Sequence, residues 1–145
     1  MGKIVYEPVS CSVCQEEFQR DRRTKRTTCS FRCRLFSRLT VKGEQECWDW
    51  RGPVNAKGYG LLYRGSSTAA RERMAHRHAW ILENGPVRAG LFVLHRCDNP
   101  KCCNPRHLFL GTKADNNADM YAKGRDVHSR RRAIALPLEH PHEQR

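Results

Sequence analysis

The sequence has no long apolar run: none approaches the roughly 20 residues that a membrane-crossing helix needs. A membrane partner is therefore not expected. The first residues, MGKIVYEPVSCSVC, lack the apolar stretch of an export signal, which points to the cytoplasm. Hydrophobic residues make up 39% of the 145, below the usual globular share, so the core is expected to be thin. Small thin-cored domains commonly need a metal or disulfides to stay folded. Acid is scarce too. Asp and Glu number 15 against 27 Lys and Arg, a formal charge of +12, and such an excess suits a polyanion, most naturally nucleic acid. Aromatics are 8% and form no clustered stacking platform, which weighs against a single-strand or RNA-binding module.

What the chain does have is eight cysteines. In a cytoplasmic setting these read as metal ligands rather than disulfides. Cys11-x2-Cys14 and Cys29-x3-Cys33 form two close pairs separated by 14 residues. Each short spacing lets one turn present two sulfurs, so the four suit one tetrahedral zinc. A segment this small would draw much of its folding free energy from that metal. Its basic run supplies Arg20, Arg22, Arg23, Lys25 and Arg26, suited to backbone phosphates.

Three segments follow from composition: a four-cysteine zinc finger at 1–40, a second domain at 41–125 holding all three tryptophans, and a charged tail at 126–145 without lasting periodicity, expected to be disordered. In the second domain, Gly52-Pro53 and Asn55 to Gly58 mark a turn and Tyr59–Tyr63 a strand. Met74–Glu83 reads as a helix with Ala75, Ala79 and Leu82 on one face, stopped by Asn84-Gly85-Pro86. Leu91–His95 is a short apolar run, expected as a buried strand, and Leu108–Leu110 is another. Thr112-Lys113-Ala114-Asp115 matches a capping box, opening a helix that runs to about Lys123 with Gly124 as its cap. The order is strand, long loop, strand, helix. Trp48 and Trp50 are expected in the core.

That loop carries a second candidate metal site. Cys97-x4-Cys102-x4-His107 offers three ligands, and a structural zinc takes a fourth. Cys47 is the one remaining cysteine apart from Cys103. The expected set is Cys47, Cys97, Cys102 and His107, with Cys103 as the alternative to Cys102. Once these ligands are removed, His95 and Asn116 remain at positions that can face each other. A histidine can serve as general base near neutral pH, and an amide oxygen can ligate Mg²⁺ that also keeps water and phosphate. On the helix before the strands, Arg77 is placed to stabilise charge developing on a phosphate. Its neighbour His76 is the weaker candidate. Lys113 and Arg125 are expected at phosphates.

The segments CWDWRG (Cys47–Gly52), AHRHAW (Ala75–Trp80), HRCDNPKCCNPRHL (His95–Leu108), LGT (Leu110–Thr112) and the helix ending in KGR (Lys123–Arg125) resemble the HNH, or His-Me finger (ββα-metal), endonucleases. The likeness covers roughly residues 47–125 and is closest to the zinc-bound branch of homing and phage-type nucleases. It implies a zinc-stabilised ββα-metal domain, so with the four-cysteine zinc finger before it the expected fold is α+β. It implies His95 as general base, Asn104 as the residue that orients it, Asn116 as ligand of the catalytic cation, and the same Cys47, Cys97, Cys102 and His107 zinc set. Asn104 could instead cap the turn before Pro105, and Asn117 is the alternative to Asn116.

One departure stands out. Many such enzymes place an acidic metal ligand just before the histidine, and here that residue is Leu94. A single neutral ligand implies weak cation binding without DNA. The implied reaction is metal-dependent hydrolysis of DNA phosphodiesters, with water as nucleophile, Mg²⁺ or another divalent cation at Asn116, two structural zinc ions, and 5′-phosphate and 3′-hydroxyl products. A monomer would nick, whereas a homodimer would cut both strands. The competing expectation is a non-catalytic zinc-finger DNA-binding protein on a degenerate nuclease fold.

Overall fold

The computed structural model describes residues 4–62 and 73–126. Within them the fold is α+β, with three two-stranded antiparallel sheets and three helices. No described helix is long and apolar enough to cross a membrane.

The N-terminal unit is a hairpin followed by a short helix. Strands β1 (Tyr6–Ser10) and β2 (Glu17–Asp21) pair from Tyr6 opposite Asp21 to Ser10 opposite Glu17. Their connection carries Cys11 and Cys14 and turns at Gln15, whose φ is +64°. Ser30 then caps α1 (Phe31–Phe36) by accepting a hydrogen bond from the Cys33 amide at 3.2 Å. This cap satisfies one of the donors that a helix start leaves unpaired. It also sets the phase of α1, so that Cys33 and Leu35 both point inward and are buried.

Leu35 belongs to a core shared along the chain: Leu35, Leu39, Trp50, Leu62, Ala75, Ala79 and Cys103, flanked by Phe31 and Phe36. Strands β3 (Leu39–Thr40) and β4 (Asp49–Trp50) join across it. Trp50 sits at its centre and donates from Nε1 to the Pro53 carbonyl at 2.9 Å. Chain segments lie directly on its indole, so a Cβ on Gly60 would come within 2.6 Å of the ring and one on Gly52 within 2.5 Å. Trp50 is therefore core, as expected. Trp48 is half-buried and donates to the Lys42 carbonyl at 3.0 Å.

Some expected elements differ. Tyr59–Tyr63 is no continuous strand: isolated bridges link Val54 to Gly60 and Leu61 to Met74, because Gly58 turns at φ +82° and the backbone is drawn onto Trp50. Tyr63 lies outside the described residues, as does the tail beyond Asp126. Helix α2 runs Ala75–Asn84 and ends at Gly85 with φ +84°. Its buried side is Ala75, His76, His78 and Ala79, while Leu82 is exposed. The covered side is the expected one, but it is confined to the first half of the helix, where it widens to take in His76 and His78, while Leu82, on the same side as Ala79, lies near the end of the helix and is exposed.

Strands β5 (Phe92–His95) and β6 (Leu108–Gly111) pair in register, His95 opposite Leu108. Within β5 only Val93 is buried, and Phe92, Leu94 and His95 are half-buried. Helix α3 (Lys113–Ala122) starts with the expected capping box. The Asp115 amide donates to Thr112 Oγ1 at 3.2 Å, and Asp115 Oδ2 accepts from the Thr112 amide at 2.7 Å. The Thr112 contacts hold the Asp115 carboxyl below the usual range. Lys123 is the C-cap, and Gly124, with φ +60°, follows it.

Candidate metal centres and active site

The four finger cysteines converge. One ligand atom from each of Cys11, Cys14, Cys29 and Cys33 lies within 4.8 Å of the others. Cys14 and Cys29 sulfurs are 3.4 Å apart, and those of Cys29 and Cys33 are 3.6 Å apart. A tetrahedral zinc with arms of about 2.3 Å puts its sulfurs about 3.8 Å apart, so the donor set fits. Backbone amides aim at the sulfurs, including that of Cys29 at 3.4 Å from Cys11 Sγ. Such contacts, the Cys14 amide foremost, hold the Cys11 thiol down at about 6.

The second group is Cys47, Cys97, Cys102 and His107, again within 4.8 Å of one another. His107 Nδ1 is 3.6 Å from both the Cys47 and the Cys102 sulfurs. Burial pushes the Cys102 thiol up to about 12, and thiols enclosed in this way ionise against a bound cation. Cys103 points elsewhere. It is buried in the shared core, 1% exposed, and its sulfur faces the Lys101 carbonyl at 3.8 Å. Both groups could hold zinc.

Between Cys102 and His107 lies Asn104, fully buried. Its amide donates to the carbonyls of Glu44 and Glu46, both at 2.8 Å, and its Oδ1 accepts from the Arg106 amide at 3.0 Å, capping the 3-10 turn Pro105–His107. Asn104 therefore makes no direct bond to His95. It ties the metal loop to the segment that leads into Cys47.

His95 closes β5 beside this loop. Its Nε2 lies 3.0 Å from the Cys102 carbonyl oxygen. A carbonyl only accepts, so Nε2 carries the proton and Nδ1 is left basic. Burial lowers the His95 pKa, which keeps the ring neutral at physiological pH. The His95 ring lies against two others: His76 with centroids 4.6 Å apart and Tyr59 at 5.9 Å. His95 and Asn116 line one cavity of about 150 Å³, together with Tyr59, Asp98 and Asp119. Asn116 also lines a neighbouring cavity of about 320 Å³ with His76, Arg77 and Leu94.

Residues 73–118 match the HNH endonuclease family. The chain carries an HNH endonuclease domain. Two proteins of Escherichia phage T7 are similar to it. Protein 7.7 is 44% identical over 83 residues, 57% of this chain and 61% of that protein. Protein 2.8 is 46% identical over 79 residues, 54% of this chain and 52% of that protein. The chain thus spans between half and two thirds of the relatives it matches. No solved structure matches it.

The matched stretch of the HNH domain holds α2, β5, the metal loop, β6 and the first half of α3, so it contains His95, Asn104 and Asn116. Other expected site residues are placed less simply. Arg20 is bonded to Glu7, Arg22 lies 3.4 Å from Glu7, and Arg23 pairs with Asp21 at 2.8 Å. Arg26 donates to the backbone carbonyls of Thr28 and Cys29. Arg125 pairs with Asp98 at 3.2 Å and with Asp119, while Lys123 bridges the same two carboxylates at 3.0 and 2.9 Å. That network ties the metal loop to α3. Lys113 is exposed.

Sequence reasoning missed Tyr59, which lines both cavities, and ranked His76 low. His76 is 6% exposed, and burial brings its pKa down to about 3. The available signal was the polar pair His76-Arg77 on a helix meant to pack, but a helical wheel cannot separate a buried histidine from a solvated one.

Proposed function

We propose that the protein is a metal-dependent DNA endonuclease with His95 as general base. The observation that carries the reading is the His95 hydrogen bond to the Cys102 carbonyl, which selects the tautomer with Nδ1 free, in a residue that shares a cavity with Asn116. In this scheme His95 Nδ1 takes the proton from water as it attacks phosphorus in line. Asn116 offers its amide oxygen to a divalent cation, Mg²⁺ being the natural choice. That cation would supply charge stabilisation at the phosphate and the departing 3′ oxygen. Arg77, on the wall beyond Asn116, would balance the remaining phosphate charge.

The donor set for the cation is meagre. Leu94 occupies the cavity wall beside His95, and the Asp98 and Asp119 carboxylates are engaged by Lys123 and Arg125. The reading is therefore of a cation recruited together with the DNA phosphate. Zinc at Cys47, Cys97, Cys102 and His107 would hold the loop that orients His95, and zinc at Cys11, Cys14, Cys29 and Cys33 would hold a finger (residues 1–40) that grips DNA for the cutting domain (residues 41–125). Lys113 is open to a phosphate. Arg20, Arg22, Arg23 and Arg125 have acidic partners and would have to exchange them.

The test is relaxation of supercoiled plasmid by the zinc-loaded protein, with and without Mg²⁺, beside His95→Ala. Conversion that needs both Mg²⁺ and His95 is expected, with a loss of about 10²–10⁴-fold on removing the base. Open circles would indicate a nicking monomer and linear product a dimer. Equal conversion by His95→Ala would sink the reading, and DNA binding without any conversion would leave a non-catalytic binder.

A further inference from the structure

The finger carries a groove of its own, lined by none of the residues of the candidate active site. It has a volume of about 570 Å³ and is formed by the segment from Lys25 to Thr28 and by α1 with the residues that flank it. Lys25, Arg26, Arg34 and Arg38 line it, and among the described residues no Asp or Glu does. Its remaining walls are mostly hydroxyl-bearing: Thr27, Thr28, Ser30 and Ser37, with Phe31 the one apolar side chain.

Other cations of the finger are placed differently. Arg20, Arg22 and Arg23 on the hairpin each face an acid of the same hairpin, Glu7 or Asp21. Contact with Arg23 holds the Asp21 carboxyl below its usual range. These three cations and two carboxylates leave little net charge there. In the groove the balance is four cations to none. Arg26 is also ordered in advance, its guanidinium held by the Thr28 and Cys29 carbonyls and set 5.3 Å from the centre of the Phe18 ring. Through Cys29 this ties the groove wall to the metal-ligand cluster. A concave surface of four cations and several hydroxyl donors is complementary to a sugar–phosphate backbone, whose oxygens are acceptors in a row.

We propose that this groove, rather than the arginine-rich hairpin, is where the finger holds the backbone of the duplex that the HNH domain acts on. The proposal rests on the nuclease reading for its partner. Lys25 and Arg34 are exposed and Arg38 is half-buried, so the first two can be changed without opening the core.

The experiment uses the full zinc-loaded chain with His95→Ala, so that DNA stays intact, and reads binding to a labelled duplex by fluorescence anisotropy between about 50 and 200 mM salt. Adding Lys25→Gln with Arg34→Gln should weaken binding about tenfold or more at the lower salt and lower the salt slope by about 2, since each lost phosphate contact removes about 0.9. Arg22→Gln with Arg23→Gln should change both much less, and Arg34→Lys should keep the slope. Zinc content and the thermal transition identify any misfolded variant. Unchanged affinity and slope in the Lys25/Arg34 variant would overturn the proposal, as would an equal loss in the Arg22/Arg23 variant. The two readings separate cleanly: plasmid cutting with unchanged groove-variant binding removes the groove alone, and groove-dependent binding without cutting removes the nuclease alone.

Discussion

The carbonyl oxygen of Cys102 lies 3.0 Å from Nε2 of His95. The same residue places its sulfur among the ligand atoms of Cys47, Cys97 and His107. One residue therefore links a candidate structural metal to the candidate base: whatever fixes the Cys102 backbone also fixes the tautomer and the direction of the imidazole. In a loop with little apolar anchorage, that order would come from the metal.

Two zinc ions per chain are expected by metal analysis. Cys102→Ala should lose one and lower the thermal transition strongly, with DNA cleavage lost and not restored by added Mg²⁺. Cys103→Ala should keep both ions, because Cys103 packs in the core with Leu35 and Trp50 rather than beside His107. It should cost only the modest amount of a small cavity, about 1–2 kcal/mol. One zinc in Cys103→Ala and two in Cys102→Ala would reverse the ligand assignment.

Asn104 is fully buried with both an amide that donates twice and an oxygen that accepts once. Asn104→Asp keeps the shape but removes the donors and sets a carboxylate against two carbonyls. A loss of roughly 2–4 kcal/mol is expected, read as the shift of the urea midpoint. Cleavage should fall with it, because the loop bearing the Cys102 carbonyl is loosened. A variant as stable as the parent would show that these bonds do not hold the loop.

Asn116 should set the cation requirement. Asn116→Ala should raise the Mg²⁺ concentration for half-maximal plasmid nicking, and Asn116→Asp, which adds a charge to a site with a single neutral ligand, should lower it. Asn117→Ala should leave the titration unchanged, since of the two it is Asn116 that lines both cavities. A titration that moves with Asn117 and not with Asn116 would exchange the two.

His76 predicts a particular acid sensitivity. Burial, with the neighbouring His95 second, brings its pKa to about 3 from 6.5. Below about 6.5 the unfolded chain binds a proton that the folded chain refuses, so stability should fall as pH drops from about 6.5 towards 3. The limit is about 1.4 kcal/mol per pH unit. His76→Phe, of similar bulk, should flatten that part of the profile, while proton competition at the cysteines and His107 remains common to both proteins. Parallel profiles would mean that His76 is already protonated or exposed in the folded state.

Much of the site was legible because its signals are local. Paired cysteine spacings, the Cys97–Cys102–His107 run and the capping box at Thr112 all depend on neighbours within a few residues, and the geometry of turns and helix starts carries them into space. Cys47, the candidate fourth ligand, follows by elimination, and its sulfur does lie with the other three ligand atoms; the HNH likeness points to His95 and Asn116. What periodicity does not show is how far the buried side of α2 extends: Ala75 and Ala79 are buried as expected, His76 is buried beside them, and Leu82, on the same side as Ala79, is exposed near the end of the helix.

By itself, then, the sequence determined the chemistry available to this protein: two cysteine-rich sets of candidate metal ligands, a histidine at the end of a strand and an asparagine in the helix of a short β-β-α unit, and a surplus of positive charge. Tertiary structure alone decided where those groups sit and what they touch. It seats Cys103 in the core and Cys102 among the candidate metal ligands, turns Asn104 to the Glu44 and Glu46 carbonyls, joins Arg20 to Glu7, and leaves Lys25 and Arg34 on a groove that no described acid lines. The reason is that most of these choices depend on partners far along the chain or on which side of a helix is covered. Ligand type and turn chemistry are written in adjacent residues, but burial and pairing exist only once the chain has closed on itself.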